Sequence, residues 1–147
     1  MMEDTILEVE NLRTSFATDA GSVQSVRGIT FHVGKGESLG IVGESGCGKS
    51  VTMLSIMGLL EDNASRQADA LLFDGEDLLK KSPREMRKIQ GNRIGMIFQD
   101  PMTSLNPLFT VGEQIRGPLM RHQKLSRKEA EKKALVMLEA VGLPSPE

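Results

Sequence analysis

Apolar and polar residues alternate along the first part of the chain with the two-residue period of a half-buried β-strand. Residues 6–10 follow this pattern, and residues 13–18 and 24–33 continue it. The turn-forming residues 19–22 lie between the last two runs, and a further short apolar run covers residues 70–73. The N-terminal part is therefore expected to form an antiparallel sheet.

Two other runs are apolar without strict alternation, as buried strands are. They cover residues 38–42 and 93–98, and the first is followed by a helical pattern over residues 51–60. The sequence therefore predicts a strand, a loop and a helix in direct succession, and a second buried strand further along the chain.

Capping boxes predict the starts of two more helices. The first box is Ser82-Pro83-Arg84-Glu85, with proline at the first helical position, and this helix is expected to stop at Gly91. The second box runs from Ser126 to Glu129. Its helix presents an apolar face and is expected to end at Gly142 and Pro144. That face consists of Ala130, Ala134, Met137, Leu138 and Val141.

The loop between the first buried strand and its helix has the sequence of a complete phosphate-binding loop. It reads Gly43-Glu44-Ser45-Gly46-Cys47-Gly48-Lys49-Ser50. Its glycines allow main-chain N–H groups to approach a polyphosphate, and the start of the helix adds further donors. We expect Lys49 to reach the β- and γ-phosphates and the Ser50 hydroxyl to bind Mg²⁺. A chance glycine-rich turn is the alternative, but the flanking strand and helix favour a nucleoside triphosphate site.

Composition narrows the remaining function classes. The 147 residues suffice for one domain with a sizeable core, and the formal net charge is −2. The basic residues cluster on predicted helices, where a solvent-exposed helix face explains them. Trp and Tyr are absent, so the chain has few aromatic side chains on which bases could stack. No nucleic-acid partner is therefore expected. Cys47 is the single cysteine, which indicates a reducing compartment. The acidic start, Met1 to Asp4, does not predict a targeting segment, and the longest apolar stretch is too short to span a bilayer.

Two interpretations compete for the residues that end the second buried strand. A phosphate loop usually works with an acidic residue at such a position, which helps to hold Mg²⁺. In one interpretation, Asp100 is that acid and the protein is a self-contained kinase or NTPase. In the other, Gln99 is the functional residue, and Asp100 with Pro101 only turns the chain out of the strand.

Residues 99–107, QDPMTSLNP, resemble the Q-loop region of ABC-transporter ATPases, in particular the ATP-binding subunits of dipeptide and oligopeptide importers. The loop 43–52, the stretch 109–115 and the stretch 141–144 are similar to the same branch of the family. The resemblance runs through essentially the whole chain. It implies an α/β fold, with a P-loop NTPase core of the ABC-ATPase type and an N-terminal antiparallel β subdomain.

The resemblance also implies roles for individual residues. ATP and Mg²⁺ are the implied cofactors, bound by residues 43–50 together with Val51, with Ser50 and Gln99 at the metal. Gln99 contacts Mg²⁺ or the attacking water and relays the occupancy of the γ-phosphate site. In this family an aromatic residue of the N-terminal sheet stacks on adenine, and Phe16 is the best match.

Partners and location follow from the resemblance as well. Residues 102–109 are expected to dock on a cytoplasmic coupling helix of integral membrane permease subunits. A second ATP-binding subunit is implied, a periplasmic or extracellular substrate-binding protein is an indirect partner, and the location is the cytoplasmic face of the inner membrane. The cargo stays open among dipeptides, oligopeptides, nickel and glutathione.

The 147 residues stop before several motifs that are expected in this family. Relatives continue into the signature helix, the Walker B strand and a switch histidine, so residues 1–147 are expected to form a partial nucleotide-binding domain, with a helical subdomain starting near residue 102. The leading hypothesis is therefore an ATPase subunit represented by its N-terminal half. The alternatives are a fragment that binds nucleotide or a membrane subunit without hydrolysis, and an independent P-loop kinase that uses Asp100.

Overall fold

The computed structural model describes residues 4–99 and 104–143. The chain divides into two compact units, of which the first ends at Met86 and the second begins at Arg87. Among the described residues, no helix is long and apolar enough to cross a membrane. Each unit is built around its own set of buried side chains, so the two are described in turn.

The first unit contains a five-stranded antiparallel sheet. Its strands are β1 (Thr5–Thr18), β2 (Gly21–Gly34), β3 (Ala64–Gln67), β4 (Ala70–Phe73) and β5 (Glu76–Asp77). One edge of β1 pairs with β2 over its whole length, and the other edge pairs first with β4 and then with β3. The prediction of an antiparallel N-terminal sheet is confirmed, with β1 as a single long strand where the sequence indicated two runs.

A β-bulge in the middle of β1 explains why one strand looked like two. Asn11 has a φ of 49°, and the register against β2 shifts between Val9 and Leu12. Asn11 keeps its main-chain N–H satisfied by donating to the Thr30 hydroxyl at 2.9 Å. A bulge reverses the face on which successive side chains lie, and this interrupts the alternation of the sequence pattern without ending the strand.

Helix α1 (Lys49–Met57) packs on this sheet and follows the glycine loop. Gly58, with a φ of 65°, ends it in a Schellman arrangement, in which the N–H of Leu59 donates to the carbonyl of Leu54 at 2.9 Å. The core of the first unit lies between the sheet, α1 and the start of α2 (Pro83–Ile89). Its buried apolar side chains are Val9, Leu12, Val26, Ile56, Met57, Leu71, Phe73, Leu78 and Met86.

The second unit contains α3 (Val111–Gln123) and α4 (Arg127–Ala140). The two helices pack through buried Leu119, Ala130 and Ala134, with Ile115 and Leu125 partly buried beside them. Both helices begin in complete capping boxes, at Thr110 and at Ser126. The capping box at Ser126 and the end of α4 just before Gly142 confirm the predicted start and stop of this helix. Pro144, the other predicted stop residue, lies outside the described residues.

Two predicted strands are wrong. Neither residues 38–42 nor residues 93–98 form a strand, and their apolar side chains are open to solvent: Val42 is 93% exposed and Ile97 is 97% exposed. A buried strand needs neighbours on both edges to satisfy its main-chain groups. Within the described residues, neither segment joins a sheet, and Ile94 makes only an isolated bridge with Gln90.

The apolar face of α4 is also only half covered. Ala130 and Ala134 are buried, but Met137 and Val141 are exposed. The sequence pattern therefore located the helix and its apolar side correctly, with Leu138 partly buried on that side.

A buried hydrogen bond joins α1 to the sheet, and its removal is expected to destabilise the first unit. The hydroxyls of Thr14 and Ser55 lie 2.7 Å apart, with side chains 1% and 0% exposed. Thr14→Val keeps the shape but removes one hydroxyl, while Ser55 still donates to the Val51 carbonyl. We expect the free energy of unfolding to fall by about 1 kcal/mol in urea titrations. Thr18→Val is the control, because it removes a hydroxyl whose hydrogen bond to the Gly21 carbonyl, at 2.7 Å, is exposed to water. It should change the free energy of unfolding by less than about 0.5 kcal/mol; equal effects would contradict this assignment.

The capping box of α4 predicts an acid-dependent loss of stability. Hydrogen bonds from the Ser126 hydroxyl and main-chain N–H lower the pKa of Glu129 below its ordinary value of 4.5. A lowered folded-state pKa stabilises the fold above about pH 4.5, and this contribution disappears as the pH falls through the folded-state value. Glu129→Gln keeps an acceptor for the cap but cannot titrate. We therefore expect its urea midpoint to fall less than that of the wild type between pH 7 and pH 3. Glu139→Gln, on the same helix, is the control, and identical pH profiles for all three proteins would contradict the prediction.

Candidate nucleotide-binding site

The glycine loop lies against the second strand of the sheet with no room for a side chain. Gly46 and Gly48 have φ angles of 81° and 95°, which favour glycine. A Cβ on Gly48 would lie 2.6 Å from the carbonyl oxygen of Ser25 on β2. Glycine is therefore required at position 48 for two reasons, the backbone angle and the close approach.

The loop is also folded tightly onto itself. A Cβ on Gly43 would lie 2.6 Å from the Cys47 sulfur, and the N–H of Cys47 donates to the Glu44 carbonyl at 3.4 Å. Cys47 is exposed at this position. Its thiol therefore lies at the surface of the loop.

Lys49 places its ammonium across the loop. Its Nζ atom donates to the carbonyl oxygens of Gly43 at 2.6 Å and Glu44 at 2.7 Å, and lies 3.5 Å from the Cys47 sulfur. These bonds hold a positive charge at the point where the loop closes.

The start of α1 supplies main-chain donors. The helix begins after Gly48, which has no side chain to cap it, and no acidic residue lies in its first turn. The Thr52 hydroxyl and N–H both bond to the Gly48 carbonyl, at 2.9 Å and 2.8 Å, and so fix the geometry of this turn. The first amides of a helix have no acceptor within the helix and favour an anion. Together with the glycines and Lys49, they fit a phosphate group, and the exposed Ser50 hydroxyl offers an oxygen to an accompanying metal ion.

A cavity of about 820 Å³ lies beside the loop, between β2 and residues 39–42. Apolar side chains line much of it, among them Val23, Ile29, Phe31, Leu39 and Ile41. Its size lies within the range of cofactor and ligand sites. The loop residues 46–49 close one side of this cavity, so the polar cradle borders a largely apolar space.

The structure gives a position to Phe16 without testing its predicted role. Phe16 is half-buried on β1, paired with Val23 of β2 and with Ala64 of β3. Contact with adenine stays a prediction. Among the described residues, the lining of the cavity includes its partner Val23 but not Phe16 itself.

Gln99 belongs to the second unit and is exposed. Its assignment to the metal and to the attacking water stays a prediction, as does the assignment of Mg²⁺ to Ser50. No group of three or more His, Cys, Asp and Glu side chains that could hold a metal lies within residues 4–99 and 104–143. Asp100, the acid of the alternative interpretation, lies outside the described residues.

The sequence analysis did not predict the side chains that fix the C-terminal half of α1 against the sheet. Ser55 and Thr14 are buried polar residues, and Arg66 of β3 donates to the Ser55 carbonyl. The spacing of these residues carries no motif, since they come from three separate elements. Only the polar residues at inward positions of β1 and α1 could have indicated a buried contact.

Comparisons with known proteins show the family to which this chain belongs. Residues 26–146 match the family model described as ABC transporter. The chain is 54% identical over 144 residues to the dipeptide transport ATP-binding protein DppD of Bacillus subtilis strain 168, covering 97% of this chain and 43% of that protein. It is 51% identical over 143 residues to the oligopeptide transport ATP-binding protein OppD of the same strain, covering 97% of this chain and 40% of the relative. The chain thus spans less than half the length of these curated relatives.

Solved structures show the same fold. The dimeric structure of a bacterial ABC transporter cassette aligns with a TM-score of 0.79 at 24% identity, covering 95% of this chain and 58% of the cassette. A dimeric post-hydrolysis state of an ATP-binding cassette, bound to ADP and Pi, aligns with a TM-score of 0.75 at 26% identity and the same coverage. The architecture is therefore that of an ABC ATPase, as the sequence predicted. Because the family model covers most of its residues, this chain belongs to the ABC transporter family.

Proposed function

We propose that the chain forms the nucleotide-binding part of an ATP-binding subunit that energises a peptide-type ABC importer. The observation that carries the proposal is the position of Lys49, whose ammonium bridges the Gly43 and Glu44 carbonyls directly before the uncapped start of α1. This arrangement concentrates positive charge and main-chain donors on one small surface. Polyphosphate is the ligand chemistry that such a surface binds most strongly.

Each loop residue contributes a defined interaction. Lys49 balances phosphate charge with an ammonium that donates to the Gly43 and Glu44 carbonyls. Residues 43–48 and Val51 offer main-chain N–H groups, and the Ser50 hydroxyl offers an oxygen ligand to Mg²⁺. The amide of Gln99 has both an acceptor and donors, which suit a metal ion or a water molecule. Mg-ATP, when bound, supplies the phosphoanhydride bond whose hydrolysis energises transport.

Peptide transport is supported by the names of the relatives. DppD and OppD of Bacillus subtilis are described as dipeptide and oligopeptide transport proteins, and both are more than half identical to this chain. A cargo of small peptides is therefore the most direct proposal. The partners that go with it are integral membrane permease subunits, a second ATP-binding subunit and, indirectly, an extracytoplasmic substrate-binding protein. The site of action is the cytoplasmic face of the membrane.

Residues 104–109 provide a surface for the permease subunits. Leu108 is 86% exposed, and Leu105 and Phe109 are also exposed. The segment has a defined conformation, because the Gln114 side chain bonds to the main chain of Asn106 at 2.8 Å and 2.9 Å and to that of Phe109 at 3.0 Å. Exposed apolar side chains on a fixed backbone are typical of a docking surface. Residues 102 and 103, the start of the predicted segment, lie outside the described residues.

Replacement of the loop lysine tests the proposed nucleotide site. We expect Lys49→Met to raise the Kd for Mg-ATP by about 10- to 100-fold in calorimetric titrations, because a charge-assisted hydrogen bond to phosphate is lost. Lys35→Met, at the exposed turn before the loop, is the matched control and should bind ATP as the wild type does. Equal affinity in the Lys49→Met and wild-type proteins, with unchanged circular dichroism, would show that the loop is not the nucleotide site.

Replacement of the exposed apolar residues tests the docking surface. We expect the double variant Leu108→Ser and Phe109→Ser to lose retention on membranes that contain co-expressed permease subunits, while its affinity for ATP is unchanged. Leu143→Ser, an exposed leucine after α4, is the control. Retention of the double variant at the wild-type level would exclude residues 108 and 109 from the interface.

A further inference from the structure

A second set of contacts fixes α1 at the end opposite the loop. Ser55, in the last turn of α1, is fully buried, and its carbonyl accepts from the Gly58 N–H at 3.2 Å and from Nη1 of Arg66. Nη2 of the same arginine donates to the Leu78 carbonyl at 3.3 Å. Arg66 thereby connects three elements: β3, the C-terminal turn of α1 and the segment after β5.

The chemistry of Arg66 suits this position. Its two described acceptors are main-chain carbonyls, and the carbonyl end of a helix attracts a positive charge. Arg66 is half-buried, and this burial lowers the pKa of its guanidinium. The planar group with its fixed donors can reach both carbonyls at once, which the single ammonium of a lysine does less well.

Helix α1 transmits position from one end to the other. It has nine residues and is therefore about 13 Å long, a short and stiff element. Lys49 and Ser50 form its first turn, and the loop before it lies against β2 at Ser25. Because the helix is this short, a shift at the Ser55 end would displace the first turn relative to the loop carbonyls that Lys49 contacts.

We infer that Arg66 is a positioning residue for the phosphate loop, which acts through Ser55 and α1 to fix where the Lys49 ammonium lies. The inference rests on the proposed function, because the phosphates that Lys49 would contact are those of the proposed ATP site. The position of Lys49 itself can be measured without any nucleotide.

Cys47 is the natural reporter for this measurement. It is the single cysteine of the chain, it is exposed, and its sulfur lies 3.5 Å from the Lys49 ammonium. Iodoacetate is an anion and iodoacetamide is neutral, so the ratio of their alkylation rates reports the positive charge near the sulfur. Because both reagents attack the same thiol, the ratio is insensitive to its general accessibility.

The experiment compares this ratio in the wild type, Arg66→Met and Arg66→Lys, with Lys49→Met as the reference for a missing charge. We expect Lys49→Met to lower the iodoacetate-to-iodoacetamide ratio by about fivefold, as the loss of a unit charge about 4 Å away in water implies. Arg66→Met displaces this charge without removing it, so we expect it to lower the ratio by a smaller factor than Lys49→Met does. Arg66→Lys should fall between Arg66→Met and the wild type. Arg84→Met, which removes an exposed arginine of α2, is the matched control and should keep the wild-type ratio.

A second measurement separates positioning from mere support of the fold. Calorimetry on folded protein should give a Kd for Mg-ATP about tenfold higher in Arg66→Met, with partial recovery in Arg66→Lys. A purely structural role would lower the melting temperature and leave the rate ratio and the Kd of the folded protein unchanged, which would overturn the inference. If Arg66→Met does not fold, the rate ratio of Arg66→Lys decides. If the wild type does not bind ATP, the proposed function fails, while the rate ratios still decide whether Arg66 positions Lys49.

Discussion

The candidate nucleotide site depends on the contact between the Gly48 backbone and the Ser25 carbonyl of β2. This contact leaves no space for a Cβ atom, so it fixes how closely the loop approaches the sheet. The direction of α1 follows from it, since the helix begins at the next residue. The buried Thr14 and Ser55 hydroxyls then fix the face that α1 turns towards β1. A loop that binds phosphate by main-chain donors requires such a support, because its donors have to stay in place when no ligand neutralises them.

Local sequence signals predicted those parts of the fold that depend on local interactions. The turn at residues 19–22, the capping boxes at Ser82 and Ser126 and the helix stop at Gly142 all require only neighbouring residues. The glycine loop before a helix was predicted for the same reason, since its glycines and lysine are adjacent in sequence. Its flanking helix starts at Lys49 and ends before Gly58, close to the predicted range.

The failures concern elements that depend on distant partners. The residues of 38–42 and 93–98 have strand-like composition, but a strand exists only where another strand accepts its hydrogen bonds. Conversely, β3 was not predicted, because residues 64–67 lack an alternating apolar pattern. They form a strand because they pair with β1. Helix α3 was missed because Gly112, Gly117 and Pro118 argue against a helix. The capping box of Thr110 and Glu113 was the signal that could have revealed it.

The exposed apolar segment at residues 39–42 offers a surface through which two copies of the chain can associate. Main-chain groups that join no sheet can pair with the same segment of another molecule, and the exposed Val42 adds an apolar contact to that pairing. Association of this kind is bimolecular, so its rate rises with the square of the protein concentration. Dilution therefore preserves the monomer better than cooling does, because apolar association weakens only gradually as the temperature falls.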